Sequence, residues 1–91
     1  WEAERWGQLK AMERAGVVDQ LDRQITYLLE VNGHKICKYI ADYTYLLLDE
    51  DGSSRFIVED AKGVVTPEFR LKKKLMLAIH GIDVLLSFKN K

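Results

Sequence analysis

Residues 2–15 are good helix formers apart from Gly7, and Gly16 stands where a helix stops, so the pattern predicts a first helix. Glu2, Trp6 and Leu9 share one stripe of that helix, with Met12 at its edge and Glu4 on the far side. A carboxylate in line with a core-facing stripe is unusual, because burying an unpaired charge is costly. Residues 22–30, centred on Ile25-Thr26-Tyr27-Leu28-Leu29, form a strand candidate followed by Asn32-Gly33, the strongest short hairpin signal. A long second strand is expected over about 35–48. Its even face carries Ile36, Ile40, Asp42 and Thr44, and its odd face Cys37, Tyr39, Ala41, Tyr43 and Tyr45.

The polar stretch 49–54 predicts a turn, and residues 55–60 a third strand, which makes a three-stranded antiparallel meander. Thr66-Pro67-Glu68 combines an N-cap, a residue suited to the first helical position and a first-turn acid. The helix it opens runs to His80 and Gly81, with Phe69, Leu75 (or Lys72), Met76 and Ile79 facing inward. Residues 82–88 are the last strand candidate. The order α-β-β-β-α-β predicts one α+β domain over 1–91, a central mixed sheet flanked by helices. No internal repeat or linker interrupts it.

Composition narrows the field only slightly. The 91 residues suit a single small domain, and 14 basic against 14 acidic residues leave no net charge to suggest nucleic acid. The distribution is more telling: Arg70, Lys72, Lys73 and Lys74 cluster, Lys89 and Lys91 close the chain, and Asp49, Glu50 and Asp51 form an acidic turn. Such unevenness can steer an anionic ligand onto a neutral protein. Cys37 is the only cysteine, so no intrachain disulfide can form, which fits a reducing compartment. No stretch resembles a signal peptide or reaches membrane-spanning length, so no membrane partner is expected. The chain opens at Trp1 without a methionine, as a fragment lacking upstream residues would.

The chemistry concentrates where two apolar runs end in charge, at Tyr39-Ile40-Ala41-Asp42 and at Phe56-Ile57-Val58-Glu59-Asp60-Ala61-Lys62-Gly63. Side chains two apart on a strand share a face, so Asp60 and Lys62 project together. Parity sets Asp60 with Phe56 and Val58, and Asp42 with Ile40, which predicts both carboxylates at the ends of core-facing rows. Hard cations such as Mg2+ bind through one or two carboxylates plus phosphate oxygens, and a nearby ammonium can stabilise charge developing on phosphorus. Acids gathered there without a cation repel one another, so a raised carboxyl pKa is expected.

This element order and these charged positions resemble the PD-(D/E)XK nuclease superfamily, and at closer range an uncharacterised phage and prophage family related to Holliday junction resolvases. The matching residues are Glu2-Ala3-Glu4-Arg5-Trp6, Glu13-Arg14-Ala15-Gly16, Tyr39-Ile40-Ala41-Asp42-Tyr43, Val58-Glu59-Asp60-Ala61-Lys62-Gly63, Thr66-Pro67 and Phe69-Arg70-Leu71-Lys72. The resemblance implies a restriction-endonuclease-like core with Mg2+ (or Mn2+) on Asp42, Asp60 and the Ala61 carbonyl. Glu2 would complete the acidic shell directly or through water, and Lys62 would position water and stabilise the transition state. Gln24 matches a polar strand position of related nucleases. The proline that gives the motif its first letter is replaced by Ala41. The family's dimeric habit implies a homodimer, and its origin the cytoplasm of a bacterial host.

Simpler readings stand beside these. Asp42 could cap a sheet edge, Asp60 and Lys62 could be a surface ion pair, and Glu2 a solvated first-turn acid. Glu59 is the competing acid, on the wrong face by parity. The cluster over 70–74 reads either as a solvated helix face or as phosphate contacts, with Lys72 or Lys73 leading, Arg70 beside them, and backbone donors at Thr66. Tyr43 and Tyr45 read as sheet packing or a dimer surface, and Cys37 as a small buried hydrophobe. Neither His34 nor His80 has metal-ligand spacing. The leading expectation is a metal-dependent endonuclease for branched or structured DNA, acting in phage replication or recombination. The alternative is a non-catalytic DNA-binding or dimerisation module on the same fold.

Overall fold

The computed structural model describes residues 1–89; Lys91 of the basic C-terminus lies outside the described residues. Its elements follow the expected order: α1 (Glu2–Arg14), β1 (Val18–Val31), β2 (His34–Leu48), β3 (Ser54–Lys62), α2 (Pro67–His80) and β4 (Leu85–Phe88). The four strands form one mixed sheet in the order β1-β2-β3-β4, antiparallel except for the parallel β3–β4 pair that α2 connects. A parallel pair needs a crossover long enough to return the chain, and α2 supplies it.

Local chemistry accounts for the boundaries. Asn32 and Gly33 both have positive φ (51° and 79°), the combination a two-residue type I′ turn requires, and Val31 pairs directly with His34 across it. The Thr66 side chain accepts a hydrogen bond from the Phe69 amide, and Pro67 starts α2. Gly81 ends it in the left-handed region, with its N–H returning to the Leu77 carbonyl and the Ile82 N–H to that of Met76. Two elements differ from expectation. β1 begins at Val18 rather than 22, because a register shift between Asp19 and Asp22 destroys the alternation that would have revealed it. β4 is shorter than 82–88: Ile82 to Val84 lead into it, and Ile82 still bonds back to the Met76 carbonyl.

Two apolar clusters form the core. Leu29, Tyr39, Ala41 and Val58 pack with Phe69 and Met76 of α2 and with Val84. Leu9 of α1 packs with Val18, Tyr43 and Tyr45. Leu9 and Met76 are wholly buried, each contributing roughly 1.5–3 kcal/mol by removal from water. Tyr39 and Ala41 thus belong to the α2 cluster, while Tyr43 and Tyr45, of the same parity, belong to the α1 cluster. Strict alternation breaks across Asp42. On β1 the break faces Gln24, the residue skipped between the pairs Arg23–Tyr43 and Ile25–Ala41, whose φ is +58°.

That break corrects the expected core rows. Ile40 is 45% exposed and Phe56 is 56% exposed, whereas Val58 and Asp60 of the expected β3 row are buried. The tyrosine positions of β2 are buried too, Tyr39 against the α2 cluster and Tyr43 and Tyr45 against the α1 cluster. The ring bodies of Tyr39, Tyr43 and Tyr45 fill the core while each hydroxyl finds an acceptor, a buried carboxylate for Tyr39 and Tyr45 and the part-buried Glu2 carbonyl for Tyr43, the arrangement that makes an interior tyrosine tolerable. With those rings inside, they form no dimer surface. Cys37 is a free, partly buried residue against the α2 cluster.

Candidate active site

β2 and β3 are hydrogen-bonded from Leu48–Ser54 as far as Tyr43–Glu59 and then part. Asp42 and Asp60 are the next residues on either side of the opening. The gap is filled by side chain rather than backbone: Oδ2 of Asp42 accepts the Ala61 amide at 2.8 Å, the donor that would otherwise continue the ladder. In an antiparallel pair one residue exchanges both of its bonds with the same partner, so the Ala61 carbonyl leaves β3 on that side as well.

Asp60 is 3% exposed. Its Oδ2 accepts the Tyr39 hydroxyl at 2.5 Å. Its Oδ1 is buried and receives no hydrogen bond, although the Lys62 ammonium lies 3.1 Å away as an ion pair. The distance makes a charge contact; the approach direction is not that of a hydrogen bond. Lys62 also sits over the Phe69 ring, 4.4 Å from its centroid, a cation–π contact from the floor of α2. The expected pairing of Asp60 with Lys62 on one face is therefore present.

The electrostatics follow from this crowding. Burial, then the Asp42 charge, push the Asp60 carboxyl above its usual range, against the pull of Tyr39 and Lys62. Burial and the Glu2 charge push Asp42 up as well, with the Ala61 amide opposing. The Tyr43 phenol, buried near Glu2 and Asp42, is pushed up to about 12.

Glu2 is exposed at the start of α1, close enough to act on Asp42 electrostatically. Gln24 donates to its carboxylate at 3.4 Å, and the Tyr43 hydroxyl bonds its backbone carbonyl. Three acids thus run in a chain, Glu2 to Asp42 to Asp60. Among the described residues, no group of three or more His, Cys, Asp or Glu side chains is arranged to enclose a metal ion.

A cavity of about 390 Å³ opens beside the carboxylates, lined by Lys38, Tyr39, Asp42, Asp60, Lys62, Thr66, Phe69 and Lys72, among others. Of the residues expected to meet DNA, Thr66 and Lys72 line it, although Lys72 also pairs with Glu68 at 3.1 Å. Arg70 is exposed away from the lining, and Lys73 is turned to Asp83. Gln24 lies on the α1 side, in a separate hollow with Glu2, Trp6, Arg23 and Tyr43.

Glu59, the rival acid, is wholly buried on the opposite side of the sheet. Arg5 grips both of its oxygens, at 2.8 and 2.9 Å, and Tyr45 and Ser87 donate to it at 2.6 and 2.8 Å. Burial acts to raise its pKa, but these donors hold the carboxyl below its usual value. The clamp ties α1 to β3 and β4, and so holds the helix that carries Glu2. Sequence reasoning missed Arg5, although it stands one helical turn before Leu9 and hence on the buried stripe. It also missed Tyr39 and Lys38 as cavity residues, because their place depends on the slipped alternation at Asp42.

No curated protein and no solved structure matches the chain. A family model described as "Protein of unknown function (DUF1064)" matches residues 1–90, nearly the whole length, and the chain belongs to that family.

Proposed function

We propose that this domain is a Mg2+- or Mn2+-dependent DNA endonuclease of the PD-(D/E)XK kind, acting on branched or structured DNA. The observation that carries the reading is the Oδ1 atom of Asp60: a buried carboxylate oxygen in ion-pair contact with Lys62 that accepts no hydrogen bond, beside Asp42, at the point where two strands separate. A divalent cation there would offset what raises the two pKa values: burial of both carboxylates, the Asp42 charge beside Asp60, and the Glu2 charge beside Asp42. Oxygen donors of this kind suit a hard cation, so the residues present fit one.

In this reading Asp42 and Asp60 hold the metal, the Ala61 carbonyl is a further donor, and Glu2 acts from the rim, through water. When bound, the cation supplies charge neutralisation at phosphorus and acidifies a water. Lys62, held between Asp60 and the Phe69 ring, keeps an ammonium at the place where phosphoryl charge would develop. Lys38, Lys72 and the amides that follow Thr66 offer contacts to the flanking phosphates. The domain's setting would be the cytoplasm of a bacterial host; among the described residues no helix is long and apolar enough to cross a membrane.

The test is cleavage of branched DNA with Mg2+ or Mn2+ by the wild type, Asp60→Ala and Lys62→Ala. Loss of cleavage in both variants, with thermal unfolding still cooperative, supports the assignment. Equal cleavage by all three overturns it. A DNA-binding module without catalysis is the second reading, favoured by the ion pair that already occupies Lys62. It requires salt-dependent DNA affinity that is indifferent to divalent ions.

A further inference from the structure

Resting on that reading, we infer that Tyr39 is a positioning residue that fixes the Asp60 carboxylate in one orientation and so reserves Oδ1 for the cation. A carboxylate has two oxygens and can turn about its last torsion. Tyr39 removes that freedom: its hydroxyl holds Oδ2 at 2.5 Å, inside the core, on a ring that is itself buried. The ring packs against Phe69, 6.2 Å between centroids and tilted 56°, so it cannot swing without disturbing α2. Tyr39 also lines the cavity that both aspartates face.

The result is an asymmetric carboxylate. One oxygen has a neutral donor that cannot itself neutralise the charge. The other is buried without any hydrogen bond, 3.1 Å from an ammonium that Phe69 can retain when a cation takes its place at the carboxylate. A group serving stability alone would satisfy both oxygens, as Arg5, Tyr45 and Ser87 do for the neighbouring Glu59. Outer-shell partners of metal-binding carboxylates act in this way, and losing one typically weakens metal binding by roughly ten- to a hundredfold.

The experiment is Mn2+ titration by calorimetry of wild type and Tyr39→Phe, with metal-free thermal unfolding of each. Tyr39→Phe keeps the ring and its packing. The expected result is at least about tenfold weaker Mn2+ binding by a folded variant. Affinity equal to wild type overturns the inference while leaving the endonuclease reading intact. Wild type that binds no Mn2+ removes both. Should the variant not fold, the wild type answers by NMR: the Tyr39 hydroxyl proton, assigned through its ring, must persist when Mg2+ is added. Its loss on Mg2+ addition overturns the inference.

Discussion

Glu59 and Asp60 are consecutive and both buried, yet their carboxyl groups are shifted in opposite directions. Glu59 faces a guanidinium and two hydroxyls, which together outweigh the cost of burying its charge. Asp60 faces one hydroxyl, one off-line ammonium and another acid. Consecutive strand positions point to opposite sides of a sheet, so two acids one residue apart can hold unrelated roles. One locks the fold, and the other is left with one oxygen that accepts no hydrogen bond.

The lock has a pH signature. Because the folded pKa of Glu59 lies below its unfolded value, its contribution is fully present above the ordinary glutamate range and lost as pH falls through the folded value. Glu59→Ala strands Arg5 beside the sheet and is expected to cost about 3–5 kcal/mol, a large part of a small domain's stability. Urea unfolding with an unchanged denaturant slope is the measurement. A loss below about 1 kcal/mol would show the clamp to be decorative.

Asp42 is expected to behave in the opposite sense. Its folded pKa is raised, so the folded state holds its proton more tightly and stability falls as pH climbs from the ordinary aspartate value through the raised one. Asp42→Asn keeps an oxygen for the Ala61 amide and removes the repulsion. Without divalent ions at neutral pH it should be more stable than wild type, by on the order of 1 kcal/mol. The advantage should shrink as pH drops into the carboxylate range. Thermal scans over pH decide it; a variant less stable than wild type at neutral pH contradicts the argument.

Much of this arrangement was legible in the chain. Asn32-Gly33 named its own turn, Thr66-Pro67 and Gly81 bracketed α2, and the spacing of Asp60 and Lys62 gave their shared face. The sidedness of β2 was not legible. Ile40 and Phe56 looked like core and are exposed: one irregular step at Asp42 and Gln24 transfers the tyrosine row from the α2 cluster to the α1 cluster, and Phe56, in the same alternation as the buried Val58, lies beyond both clusters. A non-glycine left-handed residue inside a strand leaves no mark in the hydrophobic pattern. Hydroxyl–carboxylate pairs such as Tyr39–Asp60 and Tyr45–Glu59 depend on the same step, so they could be found only once the strands were paired.

The two lysines named for DNA separate cleanly. Lys72 lines the cavity, whereas Lys73 is bound to Asp83. Lys72→Ala is expected to weaken binding to DNA of any sequence and to reduce the salt slope by about one. Lys73→Ala should leave DNA affinity alone and cost at most about 1 kcal/mol of stability, since its ion pair is near the surface. Affinity measured across a salt series by fluorescence anisotropy distinguishes them, and equal effects of the two changes would contradict this division.

Gln24 offers a test of the irregular step itself. A left-handed glutamine costs of order 1 kcal/mol relative to glycine, and among the described residues its side chain bonds only to the exposed Glu2, at a long 3.4 Å. Gln24→Gly should therefore be neutral to stabilising, by up to about 1 kcal/mol, although glycine ordinarily weakens a strand. Proline at the same place cannot adopt that φ and should unfold the hairpin. If the backbone at Gln24 instead serves Asp42, the glycine variant will keep its stability yet bind Mn2+ more weakly, because a freer β1 no longer braces β2 where the alternation slips. Thermal unfolding and Mn2+ titration on one preparation read both quantities. A clear loss of stability in Gln24→Gly would mean that the left-handed turn is not strained and that the side chain, not the backbone, holds the step in place.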